Sequence, residues 1–574
     1  SNQTVANLKT GSTLASFAST LIKSPYNDRK GCYGLNAEDV ASINIGSSIS
    51  AAFLNLFDGI QCGINLIRTN SLINNNKFQY LTGYTSSQIQ CPSGLPGNPP
   101  PPCYVEAGYG IKAKGTYDTG TNSIYIGGIG NNQPNSFYNI FQAINISNYQ
   151  NIDVWKNTID NVSTGPFPTT SINYGNAGVY IIAPTANNKI YVAIQPLIRN
   201  CKDAIFVNRT YNNALSTDLY IRSNVITANA GGYCTNGVYV TDLLNGTFTN
   251  LNGKWAIEGN TISEATNGIN LLNVKSPSGG QKLGVGYNLC SVRYASTGSI
   301  NGILTKGCSG IKITDNHTKC NSTAAALSGG NLGVCGIRLQ NSTNMLVQCN
   351  QMDDAARSLV FEGTCTSILT TNNAPEVGVT TNIMQRAQDG FVLLNSGIIG
   401  SQGSAGVASN NVWNLPVSNF SRSQTFADVS NANNSILYVN NTTTTFPSSN
   451  LTFNGQQYSA SSILNSTGTA PACTGIRQRE NTNSETKATD LIAYGNELKQ
   501  MAEDASKLPV YDEESHWMRK KFVFEELKNN ASLKSNASLQ NFYNNTKHNY
   551  AKLAQVEDKM LDAQYNEANT INTS

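Results

Sequence analysis

Apolar and polar positions alternate over short stretches of this chain, and one alternating pattern keeps returning. Written apolar, x, apolar, x, x, Asn, x, apolar, it occurs as Trp255-Ala256-Ile257-Glu258-Gly259-Asn260-Thr261-Ile262. It returns as Ile152-Asp153-Val154-Trp155-Lys156-Asn157-Thr158-Ile159 and as Leu219-Tyr220-Ile221-Arg222-Ser223-Asn224-Val225-Ile226. Another copy is Met345-Leu346-Val347-Gln348-Cys349-Asn350-Gln351-Met352, and a looser one, Ile311-Lys312-Ile313-Thr314-Asp315-Asn316-His317-Thr318, ends in Thr. Period-two alternation predicts half-buried strands. The Asn is read as a bend residue, tolerant of left-handed backbone and able to bond its own main chain.

A second element precedes these copies: a small residue followed by alternating aliphatics. Gly237-Val238-Tyr239-Val240, Gly268-Ile269-Asn270-Leu271, Gly336-Ile337-Arg338-Leu339 and Gly390-Phe391-Val392-Leu393 are examples, with Ala204-Ile205-Phe206-Val207 a member lacking Gly. Such units returning every few tens of residues predict a solenoid. Parallel stacking of successive coils puts the inward side chains in continuous aliphatic columns. Asn157, Asn224, Asn260, Asn316 and Asn350 at matching bends are then expected to form an amide ladder, as identical amides do in stacked sheets. The expected fold is all-β, a right-handed parallel β-helix. A β-sandwich or propeller also has many short strands but lacks a fixed Asn bend after each Gly-started strand.

Three regions follow. Residues 1–35 carry apolar positions at Leu14, Phe17, Ala18, Leu21 and Ile22, a helical spacing that predicts an N-terminal cap over the open strand edges, or a flexible start. Residues 36–475 are assigned to the β-helix, with corner insertions at 85–105, 272–300 and 320–335. Residues 476–574 hold 15 of the 35 acidic and 13 of the 38 basic residues, with apolar residues at helical spacing. They predict a C-terminal α-helical region, with helices over 515–527, 531–543 and 549–565.

Composition narrows the function classes. Only 13% of residues are charged and the net charge is +3, so no strong field draws nucleic acid or an anionic membrane. No apolar run is long enough to span a bilayer. The chain starts at Ser1 without a basic-then-apolar leader, which predicts a mature form whose export signal has been removed. Thirteen cysteines support export. Cys91 and Cys103 bracket a Pro-rich loop, and Cys320 and Cys335 bracket a Gly/Ala/Ser insertion. Each pair is expected to close a disulfide at its loop base. The other nine are either bridged or buried as free thiols among the core side chains. No Cys-x-x-Cys occurs and only three His are present, which argues against a zinc site.

The Asn-bend coils with interspersed Cys, followed by His516-Trp517-Met518-Arg519-Lys520-Lys521-Phe522-Val523-Phe524-Glu525-Glu526-Leu527, resemble large cell-surface β-helix proteins of gliding Bacteroidetes, passengers of the type IX secretion system. The resemblance implies an extracellular or cell-surface location, with secretion machinery or other surface proteins as partners. It implies no activity. Such passengers usually end in a β-sandwich sorting domain, and none is recognisable before Ser574.

Parallel β-helices also host polysaccharide lyases and glycoside hydrolases. A lyase needs carboxylates for calcium and a base near the sugar; a hydrolase needs two carboxylates across it. The candidate acidic cluster is Asp353, Asp354, Glu362 and Asp389, with calcium the one cofactor considered. His317, the only His before the tail, reads as a surface or structural residue. Gly127-Gly128-Ile129-Gly130 lacks the Lys-Ser/Thr of a phosphate loop. The expectation is therefore an exported, rigid, adhesin-like binding stalk with polysaccharide as a candidate ligand, and a polysaccharide-degrading enzyme as the alternative.

Overall fold

The computed structural model describes most of residues 4–402, pieces of 411–465, and Gln540, Asn541, Tyr543 and Asn544. Segments 24–32, 47–54, 82–107, 163–176, 210–216, 244–255 and 322–330 are among those outside the described residues. The chain divides into two units, Ser1–Pro471 and Ala472–Ser574.

The first unit is a β-solenoid. Its strands visit three sheets in rotation, so as far as Arg357–Thr364 each sheet gathers every third strand, in 14-, 12- and 13-stranded sheets called here I, II and III. All pairings within the three sheets are parallel and close to in register. In sheet I, strand Asn236–Thr241 sits between Asp203–Asn208 and Asn267–Leu272, with Val238 beside Ile205 and Ile269. In-register stacking follows from the sequence period. Each coil offers an aliphatic residue at the same point, and only a parallel stack joins these points into a continuous core.

The interior is built from such columns. Leu35, Ile64, Ile111, Ile144, Val179, Ile205, Val238, Ile269, Ile303, Ile337 and Leu359 form one inside sheet I, each at 0% exposure. Each buried side chain of this size contributes about 1.5–3 kcal/mol relative to exposure. Inside sheet III, Phe57, Phe78 and Phe137 stack face to face with centroids 4.9 and 4.7 Å apart. The small residue opening each sheet I strand has a steric cause. A Cβ on Gly63 would lie 2.6 Å from the Phe78 ring and 2.7 Å from the Gly110 carbonyl oxygen, and Gly302 is equally confined by Thr318 and Gly336.

Several expectations need correction. Strands Thr4–Leu8, Ser16–Phe17 and Leu21–Lys23 pair in parallel with the next coil, so the solenoid begins within the first 35 residues in place of a helical cap. Ile22 is buried while its neighbours Leu21 and Lys23 are exposed, which is strand alternation. Residues 272–300 are not one long corner insertion. Leu283–Gly286 and Leu289–Arg293 add strands to sheets II and III. Strand Ser435–Val439 pairs in parallel with Gly400–Gln402 and Ile463–Asn465 in a separate small sheet.

The helices expected over 515–527, 531–543 and 549–565 lie outside the described residues, apart from helical Gln540, Asn541, Tyr543 and Asn544. The 85–105 insertion and the Cys91–Cys103 pair also lie outside them. Among the described residues no helix is long and apolar enough to cross a membrane.

Candidate ligand-binding face

The amide ladder is the feature that fixes where every outward side chain falls. Asn55, Asn76, Asn135, Asn157, Gln195, Asn224, Asn260, Asn288, Asn316, Asn350, Asn382 and Asn411 occupy one corner of successive coils. The Asn157, Asn224, Asn260, Asn316 and Asn350 side chains are among them. Asn224 Nδ2 donates to Asn260 Oδ1 at 2.9 Å, Asn260 to Asn288 at 2.9 Å, Asn288 to Asn316 at 2.9 Å and Asn316 to Asn350 at 3.0 Å. Each Nδ2 spends its second proton on main chain, as Asn260 does on the Ile221 carbonyl at 3.0 Å. These side chains are fully buried, apart from the slightly exposed Asn411 at the end of the row. The left-handed residue is the one before the amide (Lys156, Ser223 and Asp315 at φ 48°, 52° and 54°) and not the Asn itself. Gln195 serves the same corner with one more methylene, its Oε1 accepting from Asn157 N at 2.7 Å.

Outward positions of sheet I form a row along the axis: Tyr180, Phe206, Tyr239, Asn270, Leu304 and Arg338 on consecutive strands. Tyr180 stacks on Phe206 at 4.8 Å, and Phe206 meets Tyr239 edge-on at 5.2 Å. Beyond Tyr239 the face dips into a cleft of about 320 Å³ lined by Tyr239, Asn270, Leu272, Ser299, Leu304, Lys306, Arg338 and Gln340. Arg338 is held in place there, donating to Ser299 Oγ at 3.0 Å and to Glu362 Oε2 at 2.7 Å. The cleft thus joins an aromatic ring, an amide and two cations, groups that stack on a sugar ring and hydrogen-bond its hydroxyls.

The four candidate acids are divided between sheets. Asp353 ends a sheet III strand, and Asp354 is at the bend that follows, in left-handed conformation at φ 55°. Glu362 and Asp389 belong to sheet I. Burial raises the Glu362 pKa, but hydrogen bonds from Arg338, Gln340 and Asn395 outweigh it and hold the carboxyl below the usual glutamate range. Asp389 is fully buried with Arg357 Nε 3.6 Å away. Asp353 instead meets a residue read as merely structural: His317 Nε2 lies 3.0 Å from Asp353 Oδ2, which also accepts from Gln351 Nε2 at 3.0 Å. Parallel register brings these two together, because His317 pairs with Gln351 on the adjoining strand. Among the described residues no group of three or more His, Cys, Asp or Glu is arranged to hold a metal ion.

Cys320 and Cys335 are both buried and are not joined by a disulfide. They sit in different apolar clusters, Cys320 with Val292, Ile300 and Val334, and Cys335 with Val360 and Val392. The structure does not bring this expected pair together, because the strands on either side of the insertion aim the two thiols into separate clusters.

Sheet II carries a group that the sequence did not signal. Trp155 stacks on Tyr191 at 6.2 Å and Tyr191 on Tyr220 at 4.3 Å. The Arg222 guanidinium lies 5.0 Å from the Tyr220 ring centre and 3.6 Å from Glu258. Beside them burial pushes the Asp153 carboxyl up to about 6, with Lys189 and Trp155 pulling the other way. The positions were visible as the variable places of the strand pattern, but their meeting depends on register between coils.

No family model, curated protein or solved structure matches this chain. Fold and ladder together define its class: a three-sheeted parallel β-solenoid with an internal amide ladder.

Proposed function

We propose that this chain is an exported binding protein, a stiff rod that holds a polysaccharide along the outer face of sheet I. The observation that carries this reading is the cleft in which the Tyr239 ring, the Asn270 amide and the Lys306 and Arg338 cations converge. Stacked coils keep these groups at fixed spacing, so little ordering is needed on binding. The proposal includes right-handed winding, the hand taken by about 98% of parallel crossover connections. It also includes a cell-surface location, in keeping with a chain of few charges, and export by a type IX route with that machinery as a partner.

The test is retention on a panel of neutral and acidic polysaccharides by affinity electrophoresis. The reading expects at least one to retard the chain, and Tyr239→Ala and Lys306→Ala to weaken it about tenfold, roughly 1.4 kcal/mol. No retardation, or variants that bind like the parent, overturns it. A second reading, a polysaccharide lyase or glycoside hydrolase, draws support from the His317–Asp353 hydrogen bond, which is the kind of contact that orients a general base. Product release from the same panel, abolished by His317→Ala, distinguishes it.

A further inference from the structure

We propose that Cys201 and Cys234 form a disulfide between consecutive coils, closed while the chain folds. Two strands establish the geometry. Asp203–Asn208 and Asn236–Thr241 are neighbours in sheet I, with Asp203 in register with Asn236. Cys201 and Cys234 each precede those paired residues by two positions, so they occupy the same corner one coil apart. Main-chain hydrogen bonds extend the superposition into that corner: Thr235 N and Asn236 N both donate to the Lys202 carbonyl, at 2.8 and 3.0 Å. Both are unbridged thiols in the structure, belong to the central core and are 1% and 4% exposed. Adjacent strands lie about 4.8 Å apart. That is within the roughly 4.4–6.8 Å between Cα atoms that a disulfide spans.

Three other buried cysteines have residues other than cysteine at the in-register positions beside them. Cys62 stacks between Tyr33 and Tyr109, Cys290 between Ile262 and Thr318, and Cys335 between Asn301 and Arg357.

The timing follows from burial. Burial raises the Cys201 thiol well above its ordinary range and pushes the Cys234 thiol up to about 12. The thiolate is the attacking species, so in the folded, reduced chain exchange is slow. During folding the thiols are still wet and ionise normally. With a small disulfide such as oxidised glutathione, one protein thiolate attacks a glutathione sulfur and expels a glutathione thiolate. The second protein thiolate then attacks the mixed disulfide and expels the other. The two thiol protons end on the two released glutathione thiols. The protein loses two electrons and the small disulfide gains them.

The experiment refolds the full chain from denaturant in a glutathione redox buffer, blocks free thiols by alkylation, and maps peptides without reduction. The expected result is a peptide joining Cys201 to Cys234, lost in Cys234→Ser. The refolded parent should also melt higher than its reduced form, a difference absent in that variant. The folded, reduced chain given the same buffer should keep both thiols alkylatable after unfolding. Both cysteines recovered singly alkylated after oxidative refolding, or either joined to a different cysteine, overturns the pairing. Rapid oxidation of the folded chain overturns the claim that the bridge closes only during folding.

Discussion

Asn288 Oδ1 accepts two hydrogen bonds from Asn260, one from its side-chain Nδ2 at 2.9 Å and one from its main-chain N–H at 3.0 Å. One buried oxygen thus ties both the side chain and the backbone of the preceding coil. Asn260 does the same for Asn224, at 2.9 and 3.1 Å. Replacing Asn260 by Ala orphans two buried donors of Asn224 and removes a donor from Asn288. Each unsatisfied buried group costs about 1–3 kcal/mol. Asn260→Ala is therefore expected to lower stability by about 3–5 kcal/mol in urea unfolding.

Gly237 shows how closely coils approach. An added Cβ there would lie 2.5 Å from Ile262 Cγ2 and 2.6 Å from the Gly268 carbonyl oxygen. The oxygen belongs to a hydrogen-bonded strand and cannot swing aside as a side-chain end can. Gly237→Ala is expected to cost about 1–3 kcal/mol, as overpacked cores do. Thermal unfolding by circular dichroism checks it.

Asp153 makes stability depend on pH. Its carboxyl is raised to about 6 from an ordinary 3.8, chiefly by burial. The folded chain therefore holds this proton more tightly than the unfolded chain does. The associated stability is fully present below pH 4 and is lost as pH rises through about 6. At about 1.4 kcal/mol per pKa unit, the loss is about 3 kcal/mol. Asp153→Asn should remove this component, so the difference in stability between variant and parent grows between pH 4 and 6.5. Urea midpoints measured across that range test it, and parallel profiles contradict it.

The architecture was readable because the coil imposes one recurring demand, an aliphatic position and an amide bend per turn, which survives loops of any length between coils. Asn157 and Asn350 could be read from that demand alone. Gln195 escaped because the demand is for a side-chain amide and the pattern named only Asn. The coil at Leu283, Val285, Asn288 and Cys290 follows the motif, but its glycines suggested a loop and Cys stood in the last apolar place. Leu14 to Ile22 misled because strands of two or three residues are too short to separate a period of 2.0 from one of 3.6. The cleft and the His317–Asp353 pair were not readable. Each joins residues from different coils, and the loop lengths that set their register carry no pattern.

Parallel in-register stacking is most directly tested by one distance. Lys114 and Lys306 both point out of sheet I and are linked in register through Ser147, Ile182, Asn208, Thr241 and Leu272. Six strand steps of about 4.8 Å separate them, about 29 Å in all. Nitroxides attached through non-canonical residues at the two positions leave the cysteines untouched. Pulsed electron paramagnetic resonance should then give a single narrow distribution centred near that distance. A broad distribution, or a centre displaced by two or more strand spacings, would contradict a stack of parallel coils.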